Sequence, residues 1–313
     1  MSKRLLLCLC LVCALLFSAA AASAHGEADI IITNVWARPT VGAEMATAES
    51  AMGMAAGEHS HGNHAMGSTT PSAAYMQIEN RGEHPIALVA VASPVSMMAQ
   101  IHQTTITDNV ARMSEVEGGI EIAAGETAVL QPGSFHIMLM SLTQDLVPGS
   151  AIALDLTFEM RETDAEPMTV TVAALVTDLP LEQQPLTLVN ARLFSAEDES
   201  IPDALEGIAL PEGLLAFARL ENRGDADAPL ASASFLDAPA ALLVLVDGAL
   251  YEIDEYDIGV GETVEIVVAL GEIAADEIAT GALPFMLLLS DDTTLALAAP
   301  LAGMAASMHD HDM

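Results

Sequence analysis

An ordered internal repetition limits what this chain can fold into more than any other feature. AYMQIENRG at 74–82 returns as AFARLENRG at 216–224. IEIAAGET at 120–127 returns as YDIGVGET at 256–263, and MLMS at 138–141 resembles LLLS at 287–290. The order is kept, so the spacing reads as an internal duplication. Each copy is a series of short apolar runs broken by Gly, Pro and Asn turns, with no long helical period. That pattern predicts an all-β chain of two tandem sandwiches, of the immunoglobulin-like kind. The expected order is a leader at 1–24, a first domain at 25–177, a linker at 178–186, a second domain at 187–301 and a tail at 302–313.

The first copy alone keeps a distinctive set of side chains. Ten residues separate His102 from Met113, and twenty-two separate Met113 from His136. His136 and Met138 lie in FHIMLM, which reads as a strand. Alternation then puts His136, Met138 and Met140 on one face and Phe135, Ile137 and Leu139 on the other. Imidazole beside thioether is the donor set of a soft or borderline metal, and thioether sulfur selects Cu(I) over hard cations. The competing reading is that such methionines fill the core and such histidines are structural.

His-x10-Met followed by GETAVLQPGSFHIMLMSL closely resembles the periplasmic copper chaperone family PCu(A)C. NVWARPT and AAYMQIENRG upstream, and LVPGSAIALDLTFE downstream, agree with it. The resemblance spans roughly residues 29–176. It implies a cupredoxin-like sandwich that holds one Cu(I) through His102, Met113, His136 and Met138. It also implies a copper-acceptor partner, the CuA centre of a cytochrome c oxidase. No catalytic activity is expected.

Charge and cysteine usage narrow the alternatives. Nine Lys and Arg stand against 44 Asp and Glu, a net −35, so a phosphate backbone would be repelled and nucleic acid is not an expected partner. Lys3 and Arg4, the apolar run Leu5–Phe17 and Ala22-Ser23-Ala24 read as a secretory signal peptide with its cleavage site. An uncleaved anchor over Leu5–Ala24 stays open as the alternative. Cleavage after Ala24 makes the charge 7 − 44 = −37, because the leader holds two of the nine cations and none of the acids. Cys8, Cys10 and Cys13 all lie in that leader and follow Leu7, Leu9 and Val12, not the small residue that a lipobox needs. The exported chain would be free of cysteine, and thus of any blue-copper site. The expected location is periplasmic or otherwise extracytoplasmic, without membrane insertion after cleavage. Thioethers suit such a compartment because disulfide formation cannot consume them.

Other donors cluster outside the sandwich cores. The insert at 41–70 holds Met45, Met52, Met54, His59, His61, His64 and Met66, and His-rich tracts bind metals. The tail adds Met304, Met308, His309, His311 and Met313. Cleavage after Ala24 would make His25 the first residue, offering its amino nitrogen and imidazole to Cu(II). Met97 and Met98 are read as strand core, with an auxiliary donor role open. The second copy lacks this chemistry: no histidine lies between 137 and 308, and Met286 is the one methionine between 169 and 303. The position of His102 is expected within Leu242–Val246, and that of His136 at Phe285 or Met286. Two further functions stay open: copper storage or resistance, with several ions per chain, and a structural β-sandwich tandem without metal.

Overall fold

The computed structural model describes residues 29–40, 70–107, 110–161, 165–178, 186–197, 201–236, 238–273, 278–291 and 293–301. These residues form an all-β protein of two sheets, one in each half of the chain. The first half contains β1 (Ile30–Ala37), β2 (Ser72–Asn80), β3 (Ile86–Ala92), β4 (Ser96–Thr107), β5 (Val110–Glu115), β6 (Ile120–Ile122), β7 (Thr127–Leu130), β8 (Phe135–Leu142), β9 (Ala151–Met160) and β10 (Met168–Val176). They run in the order β5-β4-β8-β7-β2-β1-β10-β9-β3-β6. The second half contains β11 (Leu186–Ser195), β12 (Leu214–Asn222), β13 (Ala228–Phe235), β14 (Ala238–Val246), β15 (Ala249–Glu252), β16 (Tyr256–Ile258), β17 (Thr263–Gly271), β18 (Ala282–Leu289) and β19 (Thr294–Pro300). Their order is β11-β12-β17-β14-β13-β18-β19, with β15 added to β14 and β16 to β13. The leader, the insert and the tail lie outside the described residues, as do their candidate donors His25, Met45, Met52, Met54, His59, His61, His64, Met66, Met304, Met308, His309, His311 and Met313.

Period-2 alternation explains why these runs are strands. Along β2, Ala74, Met76 and Ile78 point inward, and along β8 so do Ile137 and Leu139. All five belong to one core with Ile101, Leu154, Leu156 and Phe158. Burying one such aliphatic side chain stabilises the fold by about 1.5–3 kcal/mol. A separate core in the second half centres on Ala216, Leu220, Leu242, Val244, Ile266, Val268 and Phe285.

Each core is closed by a buried asparagine that ends a strand. Asn80 donates from its side-chain amide to the carbonyls of His84 (2.9 Å) and Ile122 (3.1 Å), and accepts from Gly82 N (3.0 Å). Asn222 donates to Ala226 (2.9 Å) and Ile258 (2.7 Å), and accepts from Gly224 N (3.0 Å). The main chain repeats the pattern. Asn80 N donates to Glu126 O at 3.0 Å and Gly125 N to Asn80 O at 2.8 Å. Asn222 N donates to Glu262 O at 2.9 Å and Gly261 N to Asn222 O at 2.8 Å. The Glu-Asn-Arg-Gly signature therefore has a physical reason. It builds a polar hub that satisfies the ends of three backbone segments inside an apolar core.

The halves touch through small residues. Ala151, Ala153 and Ala173 meet Ala282 and Ala298, and Ala153 N donates to Thr280 O at 3.0 Å. The flanking arginines of the two signatures pair reciprocally, Arg81 with Glu221 at 3.6 Å and Arg223 with Glu79 at 3.4 Å. Arg81 also holds Glu79 at 2.9 Å, which keeps the Glu79 carboxyl below the usual range. These groups are partly solvated, so the network is worth little energetically and mainly orients the contact.

Candidate metal site

Strands β4, β8 and β5 lie side by side at one end of the first sheet, with β5 at its edge. The ladder between β4 and β8 sets His102 directly opposite His136, Gln100 opposite Met138, and Met98 opposite Met140. Opposed residues of an antiparallel pair share a face. This face is the one turned away from Ile101, Ile137 and Leu139, as the alternation of FHIMLM predicts. The β4–β5 ladder sets Glu115 opposite His102 and Met113 opposite Thr104. Three candidate donors, His102, His136 and Met138, are thus immediate neighbours. Met113 sits diagonally across from His102 on the exposed edge strand, itself 54% exposed.

The hydrogen bonds leave a specific pair of nitrogens free. His136 is buried, and its Nδ1 lies 3.0 Å from Ser134 O. A carbonyl only accepts, so Nδ1 carries the proton and Nε2 keeps its lone pair. His102 Nε2 lies 3.2 Å from Gln100 Oε1, which likewise leaves the lone pair on Nδ1. His102 Nδ1 and His136 Nε2 are both buried without a hydrogen-bond partner. The ring centroids are 6.0 Å apart, with planes at 61°. Two orphaned lone pairs on adjacent residues fit a cation between them. The outward N–H donors match the outer hydrogen bonds that orient metal-binding imidazoles. Burial, and then the neighbouring His136, hold the His102 pKa below its ordinary value, while Glu115 opposes the shift. The lowered pKa favours the neutral form of the His102 ring.

Aromatic residues close one side of the site. Tyr75 stands 6.4 Å from the His136 ring, and Trp36 stacks on Tyr75 at 4.5 Å. Met138 packs against this pair and Ala73. Burial raises the Tyr75 pKa, and Arg38 opposes that through its charge and a hydrogen bond to the Tyr75 side chain. Among the described residues no three His, Cys, Asp or Glu side chains converge. The supporting residues Gln100, Ser134 and Tyr75 do not stand out in the sequence. The only signal for the first two is their place two residues before each histidine, which puts Gln100 on the same strand face as His102.

Two sequence expectations need correction. Met97 and Met98 are not strand core: they are 81% and 50% exposed. The segment 138–141 does not correspond to 287–290 either. Ile137 pairs with both Ala74 and Ile101, and in the second half the residue that pairs with Ala216 and Leu242 is Val268. Strand β17 thus takes the place of β8, whereas β18 pairs with β13 and β19 as β9 pairs with β3 and β10. On this register Val267 replaces His136, not Phe285 or Met286. Leu243 stands where His102 does, within the predicted Leu242–Val246 run, and faces Glu252 as His102 faces Glu115. Ala269 and Leu250 fall at the positions of Met138 and Met113.

These four apolar residues belong to one small core with Phe194, Leu215 and Phe217, covered by Ile201, Ala204, Leu205, Ile208 and Leu210. None of these four side chains carries a nitrogen, oxygen or sulfur donor. Leu205 is 1% exposed at its centre, so Leu205→Ala should destabilise the protein by about 2–5 kcal/mol. Denaturant unfolding followed by circular dichroism measures this, and a loss under about 1 kcal/mol would mean that the cover packs only loosely.

The class of protein set by fold and site is a two-sheet β protein with one imidazole–thioether face. Residues 30–174 match the family model described as "Putative lipoprotein LpqE-like". A protein of Leifsonia xyli subsp. xyli, described as a "Putative lipoprotein", is 34% identical over 87 residues, which cover 28% of this chain and 52% of that one. The chain thus spans about half the length of that curated relative. Among solved structures, the copper-bound PCuAC domain from PmoF2 is similar at 21% identity, with 48% of this chain and 92% of that one covered and a TM-score of 0.31. The Cu(I) form of DR1885 from Deinococcus radiodurans is 31% identical over 34% of this chain and 68% of its own, with a TM-score of 0.27.

Proposed function

We propose that this chain is an exported carrier of Cu(I) without catalytic activity. His102 Nδ1, His136 Nε2 and the Met138 and Met113 thioethers hold the ion. The observation that carries this reading is the pair of buried, unpartnered imidazole nitrogens on directly opposed residues. None of the four donors is charged in its binding form, so the ion keeps its single positive charge. Such a site is one that a thiolate-bearing receiver can empty. The relatives described as lipoproteins support a place in the cell envelope. The resemblance to PCu(A)C chaperones supports the CuA centre of a cytochrome c oxidase as recipient, and the acidic surface would steer the carrier to a basic face on it.

The second half is a duplicate of the same fold whose metal positions have become Leu243, Leu250, Val267 and Ala269. The matching asparagine hubs and ladder registers support that origin. Its part in the carrier is docking, dimerisation or spacing. The test mixes Cu(I)-loaded full-length protein, under anaerobic conditions, with the apo form of a soluble CuA domain, separates the two, and then oxidises the receiver by one electron with ferricyanide, which turns a dicuprous centre into the absorbing mixed-valence form. Appearance of the CuA absorption as the carrier is depleted supports the assignment. Retention of copper by a carrier loaded with several ions per chain would instead favour storage.

A further inference from the structure

Two methionines on the metal face have no place in the four-donor set. Met98 and Met140 are directly opposed across the β4–β8 ladder, on the same face as His102, His136 and Met138. Opposed residues bring their Cβ atoms to about 4.5–5.5 Å, within easy reach of two flexible thioethers. Met98 is 50% exposed and Met140 is half-buried, so neither is core filler and the pair opens to solvent. The backbone beneath is fixed: the Ser96 hydroxyl lies 2.9 Å from Met98 O and 2.8 Å from Met140 O, spanning the two strands at this pair. Met138 is the next residue on that face. It sits about 7 Å further along β8, and the imidazole pair lies about 7 Å beyond it.

We propose that Met98 and Met140 form a second, solvent-facing site for a soft monovalent cation, with Met138 as the shared step between it and the imidazole pair. Two thioethers suit a d10 ion that accepts low coordination, and they reject the hard cations an acidic surface would otherwise gather. The pair binds weakly because it has two neutral donors and an open side. That open side admits a third donor from a delivering or receiving protein. The role as a step toward the histidines rests on the proposed Cu(I) site, whereas soft-cation binding by the pair does not.

The test uses the full-length chain with methyl-13C methionine, titrated with Ag(I) as a redox-stable stand-in for Cu(I). The Met113 and Met138 methyl signals should shift with the first equivalent, and the Met98 and Met140 signals should shift together at higher ratios. In Met98→Leu, which keeps the volume, the Met140 shift should need at least tenfold more Ag(I). The Met138 response to the first equivalent should stay as in the parent. Unmoved Met98 and Met140 signals at saturating Ag(I), or a Met140 shift indifferent to Met98→Leu, overturn the second site. Unmoved Met113 and Met138 signals overturn the main site instead, so the two failures are told apart. His102→Ala/His136→Ala should leave the paired Met98 and Met140 shifts in place, and their loss there would also overturn an independent thioether pair.

Discussion

His136→Ala is expected to weaken binding of the first Cu(I) equivalent at least tenfold, about 1.4 kcal/mol or more. The size follows from the geometry. Ser134 O fixes the proton on Nδ1, so the Nε2 lone pair is buried and aimed at the face it shares with His102. Alanine removes that donor, and the neighbouring Tyr75 ring offers no comparable lone pair to a soft ion in its place. His102→Ala should act similarly, and Met138→Ala should also cost tenfold or more. The His102→Ala/His136→Ala variant should lose more than either single change, since both imidazoles of the opposed pair are then gone. Gln100→Leu should cost less, because it frees the His102 ring without removing its nitrogen. Competition against a chromophoric Cu(I) chelator measures each step. Unchanged affinity in both His136→Ala and Met138→Ala would sink the four-donor assignment.

The second large effect is on stability. Asn222→Ala should destabilise the protein by about 3 kcal/mol or more. Asn222 is fully buried, and alanine would leave the carbonyls of Ala226 and Ile258 and the amide of Gly224 without these partners. An orphaned buried polar group costs about 1–3 kcal/mol, which applies in full to Ile258 O, while the part-buried bonds to Ala226 O and from Gly224 N add a smaller share. Asn222→Asp separates donation from acceptance: it can still accept from Gly224 N but cannot donate to either carbonyl. It should recover only a minor part of the loss. Asn80→Ala should act alike in the first half, where His84 O, Ile122 O and Gly82 N depend on it. Urea unfolding by circular dichroism reads both, and a loss under about 1 kcal/mol in either would show that water enters and satisfies the hub.

Local pattern makes much of this legible in advance. FHIMLM is short and strictly alternating, so its two faces follow from strand geometry alone. Strands β1 at Ile30–Ala37 and β2 at Ser72–Asn80 follow the same local pattern of apolar runs. The Glu-Asn-Arg-Gly recurrence is visible too, but its reason is not. Only the folded hub shows that the asparagine side chain reaches a carbonyl 42 residues further along the chain.

Register across the second half departs from the linear comparison for an equally physical reason. VVAL in β17 and FMLLL in β18 are both apolar runs of strand-forming residues, and either offers a plausible partner for FHIMLM when the sequences are laid side by side. What separates them is which strand each bonds to, and that is set by loops and core packing far along the chain. The same limit applies to the methionines. Composition cannot tell a filler from a ligand, because a thioether is apolar enough for a core and soft enough for copper. The sequence by itself determined an all-β chain and the donors on one strand face, because alternation is a local property of the backbone. The tertiary structure decided that His102 faces His136, that their free nitrogens are buried together, and that Met98 lies in the open, because cross-strand partners and burial arise only when distant strands pair.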